Sequence, residues 1–567
     1  MTAVDILAPV RIPLRDGLRL AATVYAPRDR REPVPCILAL TPYVADHLHD
    51  RGMHFAGAGF VFVAVDVRGR GDSDGEFRPW AHDAQDGYDV IEWLATQAFC
   101  NGKVGLYGAS YSGYVQWVAA AQSPPHLCTM VPTAAPYPGV DVPIRSNIFS
   151  IEEVRWQALV RGRGLQMKLF SDSALWSKKL LGLYEAGRPL READSALGFP
   201  SEAFQEYLQH PEPDDYWDAR NPTAEQYSRL QIPILTITGV YDGDQPGALE
   251  HYRRHSAGGG THCLLIGPWN HAGCSRPTSE IDGLTVGSAS VIDMLDLHSQ
   301  WYAWTLLDGP RPALLRGNVT YYVMVADRWR YADRLEGITE RLDPLYLASG
   351  SNPTDVFQSG SLASEPAHSK DGPGGYIYDP RDVSSGAVEA ALNADRWIVD
   401  DSLIHARSGR HLVYHSAPFA HDMEISGFFK LVAWISIDQP DTDIRARVYE
   451  VGANAQSVLL TFDSMRARYR ESLRRAVLVD THEPQCYEFN RFTFTSRLLK
   501  RGCRLRLVIG PIDSIYEQKN YNSGGVLAHE AIENARTVTV RLFTDREHPS
   551  ALYVPVARPE STDGVDS

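Results

Sequence analysis

The 567-residue sequence has no stretch approaching the roughly 18 consecutive apolar residues that cross a bilayer, so no membrane-spanning helix is expected. Basic residues are in deficit: 55 Lys and Arg stand against 70 Asp and Glu, a net charge of −15. Non-specific nucleic-acid binding needs a basic footprint, so a nucleic-acid partner is not expected either. Cysteine is scarce and unpatterned, with seven residues and no C-x-x-C. That argues against a structural zinc site and a disulfide framework, and fits buried free thiols in a reducing compartment. No G-K-[ST] occurs, which removes the usual phosphate-cradling loop. The opening segment MTAVDILAPVRIPLRDGLRL has no basic cluster running into an apolar core and a small-residue cleavage site. A mature cytoplasmic protein is the expectation.

What is present is an alternation of textures. Residues 34–41, 60–66, 103–107 and 129–134 are short apolar runs, and continuous runs of this kind mark strands covered on both faces of a parallel sheet. Between them, 83–95 repeats apolar residues at helical spacing (Ala84, Tyr88, Ile91, Ala95) with acidic residues in its first turn. Strand–helix–strand alternation indicates an α/β fold. From 146 to 228 the segments read as helical, and buried-strand runs resume at 232–239 and 261–268, followed by a helix over 289–307. This pattern predicts one α/β domain in two parts, 1–145 and 229–316, with a helical cap inserted at 146–228. Past 316, short alternating runs separated by Gly, Ser and Pro predict an all-β sandwich or jelly roll over 317–567, ending in a loose tail.

The most informative segment is KVGLYGASYSGYVQWVAAAQ. A strand ends at Tyr107, the turn Gly108-Ala109-Ser110-Tyr111-Ser112-Gly113 follows, and a helix with small residues begins. A nucleophile elbow needs this layout: the serine backbone is strained, its neighbours must be small, and the helix start supplies amide donors. The pattern departs from G-x-S-x-G, since the second glycine comes one position late.

That late glycine is the form found in a known family. The chain resembles the cocaine-esterase-like CocE/NonD hydrolases, relatives of the α-amino-acid ester hydrolases and X-Pro dipeptidyl-peptidases, whose elbow is G-x-S-Y-x-G. GASYSG fits it, and RDGLRLAATVYAP, TPYVADH, DVRGRGDSDGEF, GVYDG, GPWNH and NSGGVLAHE continue the likeness along nearly the whole chain. The resemblance implies an α/β-hydrolase domain, a helical cap and a C-terminal jelly roll. It implies acyl transfer to water through an acyl-serine. No cofactor and no metal are expected.

A serine nucleophile needs a base and the base needs an orienting carboxylate, in the chain order Ser, acid, His for this fold. Asp242 follows strand 232–239 and matches the family's Y-D-G; Asp244 competes, and either can cap the next helix. His271 follows strand 261–268 and matches G-P-W-x-H. For the oxyanion, the Tyr111 backbone N–H is the first candidate, and the resemblance implies the Tyr43 hydroxyl, in T-P-Y after strand 34–41, as the second. Arg68 is expected to bond acidic or carbonyl partners, and His47 and His49 form an H-x-H without an evident ligand set.

Trp156, Trp176 and Trp217 are candidates to line an acyl pocket, with plain core packing as the alternative. Asp244 is also a candidate to hold a substrate ammonium, since carboxylates follow the acid in the amino-ester hydrolases. The expected partner is a small ester or amide. An X-Pro dipeptidyl-peptidase, an amino-acyl or β-lactam acylase, and a non-catalytic binding protein on the same fold are the rival readings. Monomer and homodimer both remain open.

Overall fold

The computed structural model describes residues 3–366, 372–392 and 396–559. The first domain is built on a ten-stranded sheet. Its centre is formed by Val61–Asp66, Val34–Thr41, Cys100–Ala109, Leu127–Thr133, Ile234–Tyr241 and His262–Asn270, all parallel and in that spatial order. Every residue of Val61–Asp66 and of Ile234–Tyr241 is buried, which explains why these runs are continuously apolar instead of alternating. Each fully buried Val, Leu or Ile contributes about 1.5–3 kcal/mol. Separate apolar clusters cover the two faces of the sheet.

Antiparallel strands close both edges. Val4–Pro13 and Arg19–Pro27 pair at one side. At the other, Val319–Val323 joins His262–Asn270 in parallel and Arg328–Ala332 follows it antiparallel. Both of these strands lie beyond 316, so the α/β sheet runs past the boundary expected from sequence. The helical texture ends at Leu307 while the sheet continues, because an edge strand carries no helix to signal its membership.

Asp83–Ala95 is a helix over the expected residues, but its buried face is rotated. Gly87, Val90, Ile91 and Leu94 face the core together with the acidic Asp83 and Asp86, while Ala84, Tyr88 and Ala95 are only partly buried. The region 146–228 is a set of short helices, the longest being Ser173–Ala186, placed between Leu127–Thr133 and Ile234–Tyr241. The run IEEVRWQALVRGRGLQMKLF breaks into Glu152–Leu159 and Met167–Phe170 around its glycines.

The remainder is a β-rich domain whose thirteen-stranded sheet is antiparallel in nearly every pairing, with its own apolar core. Short helices at Ser384–Ala391 and Ser402–Ala406 interrupt the all-β pattern. Most of the tail expected to be loose, 560–567, lies outside the described residues. No helix among the described residues is long and apolar enough to cross a membrane.

Candidate active site

Ser110 stands at the C-terminal end of the central strand Cys100–Ala109, immediately before the helix Tyr111–Ala120. Its backbone adopts φ 60° and ψ −130°, a region that non-glycine residues avoid. The geometry is fixed from both sides: its N–H donates to the Thr133 carbonyl at 2.9 Å and its carbonyl accepts from Gly113 at 2.7 Å. The two glycines of the motif are steric requirements. A Cβ on Gly108, which has φ 153°, would stand 2.6 Å from the Ser112 Cβ. One on Gly113 would stand 2.8 Å from the Thr133 carbonyl oxygen. The late glycine is therefore demanded by packing against the neighbouring strand.

Asp242 and His271 follow Ile234–Tyr241 and His262–Asn270, the second and third strands beyond the serine's in the sheet. His271 Nδ1 and Asp242 Oδ1 are 2.8 Å apart, and Asp242 is fully buried. Asp242 accepts further bonds from the Thr238 hydroxyl at 2.9 Å and the Asp244 N–H at 3.1 Å. Asp244 Oδ2 lies 3.6 Å from His271 Nδ1. It occupies the cap position of the helix Gln245–Ser256, but its side chain makes no capping bond. Asp242 is therefore the nearer carboxylate to His271, with Asp244 as a second one on the same imidazole.

Electrostatics couples these groups. Removal from water pulls His271 down, but the charges of Asp244 and Asp242 outweigh it and raise its pKa to about 9. The His271 side chain is 46% exposed, so solvent screens part of that effect. Burial pushes Asp244 up, His271 opposes and Asp242 adds. Asp141, which accepts from the Tyr137 and Gly247 amides at 2.8 and 2.6 Å, is also pushed well up, by burial first and then by Asp244.

Tyr43 donates to Ser110 Oγ at 3.2 Å and accepts from the Trp156 indole N–H, also at 3.2 Å. Burial raises the Tyr43 phenol; Ser110, Trp156 and the Tyr111 amide pull it down, and Asp244 pushes it up. Tyr43 thus meets Ser110 Oγ directly, and the charge of Asp244 raises both the Tyr43 phenol and the His271 imidazole. Among the described residues no hydrogen bond joins Ser110 Oγ to His271.

Several supports escaped the sequence reading. Arg70 is fully buried and donates to the carbonyls of Pro42 (2.7 Å), Val160 (2.5 Å) and Gly164 (3.0 Å), tying the Tyr43 loop to the cap. Arg68 pairs with Asp86 (2.7 Å) and Asp16 (2.7 Å), acidic partners as expected. The Tyr111 hydroxyl donates to Asp83 and accepts from the Trp80 N–H, both at 2.7 Å, and its ring stacks on Trp80. Burial raises Asp83 to about 7 despite that bond. Gln245 exchanges two hydrogen bonds with the Phe494 backbone, so the β-rich domain braces the loop bearing Asp242. Arg68 and Arg70 stand two positions apart in the sequence; only the fold sends them to different partners.

Of the three tryptophans, Trp156 reaches the site. Trp176 and Trp217 are corrected to cap core: both are fully buried, with indole N–H groups bonded to the Leu169 and His210 carbonyls at 2.8 Å. The one group of potential metal donors among the described residues is Asp242, Asp244 and His271 itself. His49 contacts the Tyr25 hydroxyl. None of the seven cysteines is paired, and Cys486 is exposed while the others are buried or partly so.

An elbow serine at the end of a central parallel strand, with a carboxylate–histidine pair after the second and third strands beyond it, defines a serine hydrolase of the α/β-hydrolase fold. Residues 16–273 match the X-Pro dipeptidyl-peptidase (S15) family, and residues 316–525 match the X-Pro dipeptidyl-peptidase C-terminal non-catalytic domain. Cocaine esterase of Rhodococcus sp. is 26% identical across 98% of this chain and 99% of its own. An α-amino acid ester hydrolase superposes with a TM-score of 0.83 at 21% identity, covering 98% of this chain and 97% of that one. An aminopeptidase from a marine sediment Thaumarchaeota archaeon gives the same TM-score and identity, over 97% of each chain. A CocE/NonD family hydrolase from Staphylococcus aureus superposes at 0.68 and 18% identity, over 97% of this chain and 93% of that one. The chain is thus similar along nearly its whole length to a cocaine esterase, and in two successive segments to the X-Pro dipeptidyl-peptidases.

Proposed function

We propose that this enzyme cleaves a small carboxylic ester through an acyl-serine intermediate, with Ser110, His271 and Asp242 as its triad. The observation that carries the reading is the His271–Asp242 hydrogen bond of 2.8 Å, set on the strand ends beside an elbow serine already bonded to Tyr43. Asp242 holds the Nδ1–H tautomer, leaving Nε2 free to act as base. Ser110 Oγ attacks the substrate carbonyl carbon as His271 takes its proton. The carbonyl π electrons move to oxygen, and the Tyr43 hydroxyl and Tyr111 N–H donate to that oxyanion. The intermediate collapses, the C–O bond to the alcohol breaks, and the alkoxide leaves with the proton from His271. A water activated by His271 repeats the sequence on the acyl-enzyme and releases the acid and Ser110.

The test is hydrolysis of p-nitrophenyl esters of short acyl, aryl-acyl and amino-acyl groups by the protein and its Ser110→Ala variant. Loss of the nucleophile should lower kcat by about 10⁶-fold, given how triad members act as a unit. Activity that survived in the variant would remove Ser110 from the mechanism.

A second reading, an amino-acyl ester or N-terminal dipeptide substrate, has one observation in its favour: the carboxylate of Asp244 beside His271, with Asp141 within electrostatic reach. A substrate ammonium there would form charge-assisted hydrogen bonds. It requires that Asp244→Asn lower kcat/KM for amino-acyl esters while sparing plain acyl esters.

A further inference from the structure

Three segments meet on the flank of the Asp242 loop. The Tyr241 hydroxyl, directly before Asp242, donates to the Leu459 carbonyl at 3.0 Å on the strand Ser457–Arg466. Phe462 lies three residues farther along that strand, about 10 Å at the usual strand rise. Arg447, on the neighbouring strand Asp443–Val451, pairs with Phe462 across the ladder and shares its face. Arg145, from the hairpin that joins Ile144–Arg145 to Ile148–Phe149, stacks on the Phe462 ring at 4.5 Å. Arg145, Arg447 and Phe462 are each partly exposed, while both chain neighbours of each are buried. They therefore line one opening at the junction of the two domains.

The charges around it are unbalanced. Arg145 and Arg447 make no hydrogen bond or ion pair among the described residues, and only Arg145 Nη2 among their guanidinium nitrogens is shut off from solvent. Burial and the like charge of Arg445 pull Arg447 down to about 10, which leaves it protonated at neutral pH. Nearby carboxylates are committed elsewhere. Glu517 holds Arg445 with both oxygens. Asp463 accepts the Ser464 and Arg491 amides at 2.6 and 2.8 Å, and Asp141 accepts the Tyr137 and Gly247 amides. Burial pushes both aspartates up, so neither is a full counter-charge. A guanidinium taken out of water without a partner is costly, and two around one ring call for an anion.

The surroundings narrow its chemistry. Guanidinium forks match the planar carboxylate. An apolar cluster of Ile404, Tyr449, Leu459 and Val508 continues from Phe462, which suits an anion carried on a hydrocarbon body. Asp463 and Glu517 lie within electrostatic reach of Arg145 and disfavour a doubly charged phosphate. We propose that Arg145 and Arg447 form a subsite for a carboxylate that the substrate carries at the end remote from its ester. The subsite rests on the hydrolytic role proposed for Ser110, and it makes the β-rich domain a determinant of specificity.

The probes are the mono-p-nitrophenyl esters of adipic, suberic and sebacic acids, each compared with the p-nitrophenyl alkanoate of equal length. At one length or more, kcat/KM for the acid-bearing ester should exceed that of its alkanoate partner by about tenfold or more. Arg447→Met and Arg145→Met should each bring that ratio towards one, and Arg447→Lys, which keeps a charge but loses the fork, should retain an intermediate ratio. Measuring both esters on one preparation separates lost recognition from lost folding. Equal kcat/KM for the paired esters at every length in the parent protein would overturn the subsite and leave the hydrolase standing. Turnover of neither series would overturn both. A preference undiminished in Arg447→Met and in Arg145→Met would place the carboxylate elsewhere and overturn the assignment.

Discussion

His271 lies between two carboxylates, whereas a plain Ser–His–Asp triad supplies one. The extra charge of Asp244 has a kinetic consequence. A base must be neutral to accept the Ser110 proton, and a raised pKa keeps His271 protonated to higher pH. The acidic limb of the kcat/KM profile should therefore lie above the ordinary histidine value near 6.5, towards the raised value of about 9. Asp244→Asn removes one of the raising charges, so the limb should move to lower pH; a midpoint that did not move would show that Asp244 is not felt by the base. Tyr43 is tested by removing one oxygen. Tyr43→Phe keeps the ring but loses the donor to Ser110 and the proposed oxyanion contact, and kcat should fall by about 10²–10³-fold. A normal kcat in that variant would leave the oxyanion to backbone amides alone.

At the level of single elements, the elbow works because strand, turn and helix each constrain Ser110. The strand fixes its N–H on Thr133, the first helical turn fixes its carbonyl, and the glycines make room for both. Gly108→Ala should be the damaging change, because its Cβ meets Ser112 at 2.6 Å in a backbone conformation that disfavours side chains. The expected cost is about 1–3 kcal/mol in denaturant unfolding, with most of the esterase activity lost. Retained activity would mean that the turn can relax without moving Ser110. The helix Asp83–Ala95 teaches a related lesson. Its acidic first turn suits the helix dipole, yet Asp83 and Asp86 are buried and serve Tyr111 and Arg68. Charge at a helix start says nothing by itself about which way it faces.

Over the whole molecule, the β-rich domain is part of the support for the catalytic one. Arg466 is fully buried, pairs with Asp443 at 2.8 and 2.9 Å, and donates to the Asn147 carbonyl at 2.6 Å across the domain junction. Arg466→Met would leave Asp443 buried without its cation, and urea unfolding should show a loss of about 3–5 kcal/mol. A near-wild-type midpoint would mean that water reaches Asp443 or that Asn520, which also donates to it at 2.9 Å, suffices.

The sequence by itself determined the α/β alternation, the elbow and the order of serine, acid and histidine. Those features rest on local constraints: apolar runs long enough for buried strands, small residues around a strained serine, and polar residues placed just past strand ends. Tertiary structure alone decided the rest. It separated Asp242 from Asp244 by distance, sent Trp156 to Tyr43 while burying Trp176 and Trp217 in the cap, and carried the sheet beyond residue 316. It also assigned Arg70 and Gln245 their roles, joining segments 28 to 249 residues apart. Such contacts depend on which surfaces meet after the chain folds back on itself, and no spacing within a single segment encodes them.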